Sequence, residues 1–248
     1  MKALLKRMVV GSRWEGTVRH AHHLLTGAKN SLYDYQTIEV MRRVLRPDSV
    51  AIDIGAFEGG MLRHMIRFAP LGRHLAFEPL PHHYDALARR FPRVQVFPFA
   101  VGAESGVKPF YEVVRYPALS GLRRRIDLSS DAPVLERSIP TRALDSVVPP
   151  ETPIRFVKID VEGGEFDVFQ GGVETLRRSR PVIVFECGHG GADSYGVSPS
   201  QIFDLLTDRI GSRIFLLGQW LAERGPLSRD EFIEQYDRSL NYYFVAGP

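Results

Sequence analysis

The sequence predicts an α/β fold, a mostly parallel sheet of seven strands with an antiparallel last strand and helices on both faces. Three observations carry that reading. Short β-branched runs alternate with stretches of helical periodicity along most of the chain. Four of those runs close on an acid, at Asp53, Glu78, Asp160 and Glu186, and the carboxyl ends of parallel strands are where open α/β sheets hold ligands. The last two runs are joined by a connection with no crossover helix long enough for a β-α-β unit, so the final strand turns back.

Composition sets the outer bounds. With 248 residues, 44% hydrophobic and 25% charged, the chain can bury one large core. We divide it into a partly helical leader, 1–33, and a single domain, 34–248, with a substrate-side insertion around 104–142. A net charge of +3 falls short of a dedicated nucleic-acid binder and suits at most an acidic substrate or an anionic surface. The one cysteine, Cys187, excludes an internal disulfide, fits a reducing cytoplasm and reads as a buried, inert thiol. No apolar run approaches the roughly 18 residues of a membrane span. The start, MKALLKRMVV, is basic but is followed by no small-residue cleavage site. As a short amphipathic helix it would touch a membrane surface; otherwise it packs or frays. His20, His22 and His23 lack partners at metal-ligand spacing and read as solvated.

The first element of the domain is a helix ending at Leu45, capped by Asp34 or Thr37, with Ile38, Met41 and Leu45 on one face. It brings Tyr33 and Tyr35 towards the segment VAIDIGAFEGG at 50–60, where either ring could cover a cofactor or join the core. That segment runs apolar to Asp53 and then breaks into glycines: Gly55 permits a tight turn, and Gly59 and Gly60 permit close backbone approach. Its spacing is G-x-x-x-G-G, with Phe57 where a dinucleotide fingerprint needs its second glycine. S-adenosylmethionine, which has no pyrophosphate to cradle, therefore suits the turn better. A dinucleotide, or a turn with no ligand, is the alternative.

A helix over 61–68 and a second strand at 74–78 follow. Glu78 closes that strand, where a carboxylate can accept both hydroxyls of a ribose. Pro79 and Pro81 start a helix with Tyr84, Leu87 and Phe91 on its apolar side. A third strand, 94–97, leads to Ala100 and Val101, placed where an adenine ring would lie. From 108 to 142 the alternation is interrupted by extended pieces at 109–114 and 136–139 around the segment SGLRRR at 120–125. Ser120, Arg123, Arg124 and Arg125 are candidates for holding a phosphate or carboxylate of the substrate, against a plain solvated turn. The fourth strand, 154–160, gives way to VEGGE and a helix through Phe166, Phe169 and Leu176. The fifth, 181–186, is followed by Cys187, Gly188 and His189. A helix at 199–207, strands at 213–217 and 241–245, and a short helix capped by the Ser228/Glu231 pair complete the chain.

The blocks AIDIGAFEG (51–59), FEP (77–79), VKIDVEGGE (157–165) and PVIVFE (181–186) resemble the signature blocks of FkbM-type methyltransferases. The resemblance covers roughly 34–186. It implies a Rossmann-like class I methyltransferase fold, S-adenosylmethionine as cofactor and O-methylation of a sugar, glycolipid or polyketide-like acceptor, a small molecule and not a nucleic acid. It implies that Asp53, Gly55, Ala56, Glu58 and Gly59 line the methionine end of the cofactor and that Glu78, with Pro79 beside it, takes the ribose. Phe57-Glu58 departs from the asparagine and small residue usual there.

Methyl transfer to an alcohol needs alignment of the reacting atoms and a base within reach. Asp160, Glu162, Glu186 and His189 are the candidates, with Asp160 also beside the cofactor. Asp160 and Glu162 could share a divalent cation, which we do not expect. The rivals are an NAD(P)-dependent oxidoreductase on a similar sheet and a non-catalytic cofactor-binding module. No Asn/Asp-Pro-Pro-aromatic tetrapeptide of a nucleic-acid base methyltransferase is present; Pro149-Pro150 is flanked by Val148 and Glu151.

Overall fold

In the computed structural model, residues 29–127 and 133–248 are described; the leader histidines and the basic start lie outside them. Strands β1 (Val50–Ile54), β2 (Leu75–Phe77), β3 (Gln95–Phe97), β7 (Ile154–Ile159), β8 (Val182–Glu186), β9 (Arg213–Leu216) and β10 (Tyr243–Gly247) form one seven-stranded sheet in the order β3-β2-β1-β7-β8-β10-β9. The first five are parallel to one another, and β10 runs antiparallel between β8 and β9. The predicted topology is thus present. The crossovers supply helices to both faces, as parallel strands buried on each side require.

Side-chain alternation sorts the core into two layers. Ile52 and Ile54 of β1, Val157 and Ile159 of β7, and Ile183 and Phe185 of β8 face one side. There they meet α4 (Glu165–Gly171), α5 (Val173–Ser179), α6 (Pro199–Asp204) and α8 (Arg229–Asp237). Ala51, Phe156 and Val184 face α1 (Lys29–Val44), α2 (Gly60–Phe68), α3 (Pro81–Arg90) and α7 (Leu217–Leu221). Asp53 sits between Ile52 and Ile54 and so belongs to the second face, as does its register partner Lys158, between Val157 and Ile159.

Several boundaries depart from the sequence expectation. Helix α1 begins by Lys29, so Asp34 and Thr37 lie inside it and cap nothing; the Tyr33 ring, stacked on Tyr243, extends its buried face by a turn. The helix expected through Phe166 and Leu176 is two short helices that meet at Gly171-Gly172. There the backbone packs against Gly102, and a Cβ on Gly171 would stand 2.1 Å from the Gly102 carbonyl oxygen. Beyond α6 the chain winds into a π-helical turn, Leu205–Ile210, and not an α-helix to 207. The Ser228/Glu231 capping box forms as expected, and a second one, Ser198/Gln201, starts α6. The insertion is a small sheet of its own, β4 (Ala100–Val101), β6 (Val134–Arg142) and β5 (Gly106–Val113) in that order, with longer arms than predicted.

Candidate functional site

A cavity of about 470 Å³ opens over the carboxyl ends of β1, β2 and β7, between the main sheet and the inserted one. The chain reaches it through a sharp turn after β1. Gly55 has φ +79°, and a Cβ there would lie 1.9 Å from the carbonyl oxygen of Asp160, so only glycine fits. The Gly55 and Ala56 N–H groups both donate to the Phe77 carbonyl at 3.1 Å, which ties this turn to the end of β2. Gly59 does not line the cavity; it lacks a side chain because Leu87 of α3 and Phe91 just past its end pack on it, leaving 2.5 Å to the Phe91 ring for a Cβ.

Two acids dominate the side of the cavity over β1 and β2. Asp53 is buried, and its Oδ1 has no hydrogen-bond partner among the described residues, with Lys158 Nζ at 3.8 Å. Burial pushes its carboxyl up to about 6 against the opposing pull of Lys158. Glu78 is also buried, and its two oxygens each accept one backbone N–H, from Phe57 and from Leu80, at 2.9 Å. Burial raises it to about 7 despite those bonds. Each Glu78 oxygen retains accepting capacity, and the Asp53 oxygen retains all of its own.

The second group forms where β7 and β8 end. Lys158 Nζ lies 3.0 Å from Asp160 Oδ2, and the Tyr243 hydroxyl donates to the same oxygen at 2.7 Å. These partners hold Asp160 below the usual carboxylate range even though it is largely shielded from water. Glu162, at φ +58°, is paired with the Arg125 guanidinium, which also grips Asp127 at 2.8 Å. Burial and the Asp160 charge still raise Glu162, and burial with three neighbouring carboxylates raises Glu186 well above its ordinary value. One oxygen each from Asp160, Glu162 and Glu186 lies within 4.8 Å of the others. A metal there would have to displace the cations the chain already places, Lys158 on Asp160 and Arg125 on Glu162. Glu165, which accepts the Val161 N–H at 3.0 Å, braces the loop beneath.

Of the residues singled out from sequence, Asp53, Gly55, Ala56, Glu58, Glu78, Pro79, Ala100, Val101, Ser120, Asp160 and Glu162 line the cavity. Tyr35 does not; Asp34 and Thr37 do, because α1 turns Tyr35 to another side. Arg123 and Arg124 are exposed past Leu122, the last residue of that segment on the wall. Glu186 reaches the carboxylate group but lines a separate hollow with His189, whose half-exposed ring bonds Asp193 at 3.0 Å. Sequence reasoning missed Lys158, Tyr243, Phe110, Leu122 and Tyr195 on the cavity wall. For Lys158 a signal existed, since strand alternation puts it on the same side as Asp160 two residues later; Tyr243 and Tyr195 come from distant segments with none.

Comparison with known proteins addresses the chemistry. The AMB antimetabolite synthetase AmbE of Pseudomonas aeruginosa is 34% identical over 115 residues, 42% of this chain, which spans only 5% of AmbE. The 2-O-methyltransferase NoeI of Sinorhizobium fredii is 28% identical over 170 residues, 58% of this chain and 67% of NoeI. A solved FkbM methyltransferase from Methylobacillus flagellatus KT aligns over 86% of this chain and 54% of its own, with a TM-score of 0.49 and 16% identity. The family profile described as "Methyltransferase FkbM domain" matches residues 53–214. S-adenosylmethionine, the methyl donor this family uses, fits the donor set: a buried carboxylate oxygen without a partner for an ammonium group, and a doubly anchored carboxylate for a pair of hydroxyls. The matched span, which runs from Asp53 near the end of β1 to the start of β9, shows that the chain belongs to the FkbM methyltransferase family.

Proposed function

We propose that this enzyme methylates a hydroxyl oxygen of a small cytoplasmic acceptor: a sugar, a glycolipid or a secondary metabolite. The observation that carries the reading is the carboxylate group of Asp160, Glu162 and Glu186 at the edge of the cofactor cavity, because an alcohol needs a proton acceptor as it attacks. The name of NoeI, a 2-O-methyltransferase, points the same way. Bound in the cavity, S-adenosylmethionine supplies an electrophilic methyl group on a positively charged sulfur.

The remaining work falls to the chain. Asp53 accepts from the cofactor's ammonium, Glu78 from its ribose hydroxyls, and Ala100 and Val101 wall its adenine. Glu162, ion-paired with Arg125 and made more basic by burial beside Asp160, takes the proton from the acceptor hydroxyl in its ionised form. Asp160 is kept anionic by Lys158 and Tyr243 and orients that hydroxyl. Glu186 and His189, facing the second hollow, stand behind the base. The test is incubation with methyl-labelled S-adenosylmethionine and a panel of glycosides, read by mass. One methyl should be gained on oxygen, and Glu162→Gln should abolish the gain while cofactor binding persists. An N- or C-methylated product, or full activity in that variant, overturns the proposal.

A further inference from the structure

We infer that the inserted lobe beside the cavity mouth docks on an anionic phospholipid bilayer. Among the described residues, seven large hydrophobic side chains are exposed, and five belong to this lobe: Val107 (69%), Val114 (47%), Tyr116 (64%), Ile126 (68%) and Leu135 (50%). A soluble domain normally scatters such residues; register puts Leu135, opposite Glu112, on the same face of the β5–β6 ribbon as Val114, with Val107 on the other face, and the group around Val114 and Leu135 marks a contact surface. The lobe is hydrogen-bonded into one unit. Tyr111 and Gly121 exchange both backbone bonds, and the Val114 N–H donates to the Pro133 carbonyl at 3.0 Å, which brings Val114 beside the start of β6 and Leu135.

Charge selects the occupant. Arg115, Arg123 and Arg124 are exposed within the lobe, and no ion pair to a described carboxylate accompanies them. Aliphatic and tyrosine side chains interleaved with uncompensated guanidinium groups match an anionic lipid interface, where apolar tips enter the headgroup layer and cations meet phosphate. A protein partner would have to bring anionic groups arranged for each arginine, whereas an anionic bilayer supplies phosphates everywhere. Placement adds to this. Pro117, Ala118 and Ser120 to Leu122 line the cavity and lie in the chain between Tyr116 and Arg123. Docking of the lobe thus sets the cavity mouth next to the headgroup plane; that the acceptor then arrives from the bilayer rests on the O-methyltransferase reading, but the docking does not.

The experiment is sedimentation of the full chain with vesicles of phosphatidylcholine and phosphatidylglycerol in equal parts, against vesicles of phosphatidylcholine alone. We expect binding to the mixed vesicles, weakened by salt. It should fall roughly tenfold or more in Arg123→Glu/Arg124→Glu and in Val114→Ser/Tyr116→Ser, with melting temperatures unchanged. No binding to the anionic vesicles overturns the proposal, as does binding that both variants retain, which would assign it to the basic start of the chain. A dimer in gel filtration that these variants convert to monomer also overturns it, since the occupant would be a second copy. No outcome depends on turnover, so a failed methylation assay leaves the result readable.

Discussion

Replacing Glu78 by glutamine separates the cofactor side of the cavity from its acid side. Alanine would leave the Phe57 and Leu80 N–H groups, each now 2.9 Å from a carboxylate oxygen, without acceptors in a buried site, and the loss of fold would obscure the loss of binding. Glutamine keeps the volume and one acceptor. It turns the other oxygen into a donor that can neither accept a ribose hydroxyl nor face a backbone N–H. A hydrogen bond to a charged acceptor contributes about 1.5–3 kcal/mol, so S-adenosylmethionine should bind Glu78→Gln roughly 10- to 150-fold more weakly. A second signature follows from burial, which puts the Glu78 carboxyl at about 7 without cofactor. Only the ionised form offers all its lone pairs, so wild-type affinity should fall as pH drops below 7, approaching about tenfold per unit. The variant should lack that component, and titration of the cofactor itself cancels between the two proteins. Calorimetric titration from mildly acidic to mildly basic pH reads both effects. Equal affinities, or the same pH slope in both proteins, would remove Glu78 from the ribose.

Asp160→Ala should lower kcat by about a hundredfold or more while changing cofactor affinity only a few-fold, read by steady-state kinetics beside calorimetry; unaffected turnover would take Asp160 out of the reaction. Gly55→Ala should cost about 3 kcal/mol or more in urea unfolding, because its Cβ would sit 1.9 Å from a backbone oxygen at φ +79°; a loss below about 1 kcal/mol would mean the turn relaxes freely. Glu165 is fully buried and its carboxyl is raised from 4.5 to about 7, so the fold favours its neutral form. Its contribution to stability is complete below 4.5 and is lost as pH rises through 7, of order 3 kcal/mol in all. Glu165→Gln should therefore gain stability relative to wild type across that window, and a difference independent of pH would refute the assignment.

The sheet was legible because its strands are buried on both faces and stop where the chemistry begins. Asp53 is the penultimate residue of β1, Glu78 and Asp160 follow β2 and β7 directly, and Glu186 ends β8, so all four acids lie on the carboxyl rim that the sequence implied. The small sheet was only half legible. Its arms, β5 and β6, are paired across a gap in sequence, and exposed positions such as Val107 and Leu135 break the alternation that would mark a half-buried strand. The aromatic wall was illegible: Tyr243 reaches Asp160 from 83 positions away, a contact fixed by where β10 inserts between β8 and β9.

An acidic rim read from strand ends alone is also electrostatically incomplete. Asp53, Asp160, Glu162, Glu165 and Glu186 could not all ionise so close together in a buried site without large cost. Strand register supplies the first answer, setting Lys158 opposite Asp53 and two residues before Asp160, so that one ammonium faces two carboxylates. The insertion supplies the second, in Arg125 on Glu162. Two cations against five acids leave an excess, which is why Glu162, Glu165 and Glu186 are raised while Asp160, beside Lys158 and Tyr243, is not; Arg125 opposes the rise at Glu162 and so favours the ionised form the proposed base needs. The insertion is therefore tied to the chemistry as well as to the surface: the residue that tempers the proposed base arrives from the segment whose neighbours form the mouth of the cavity.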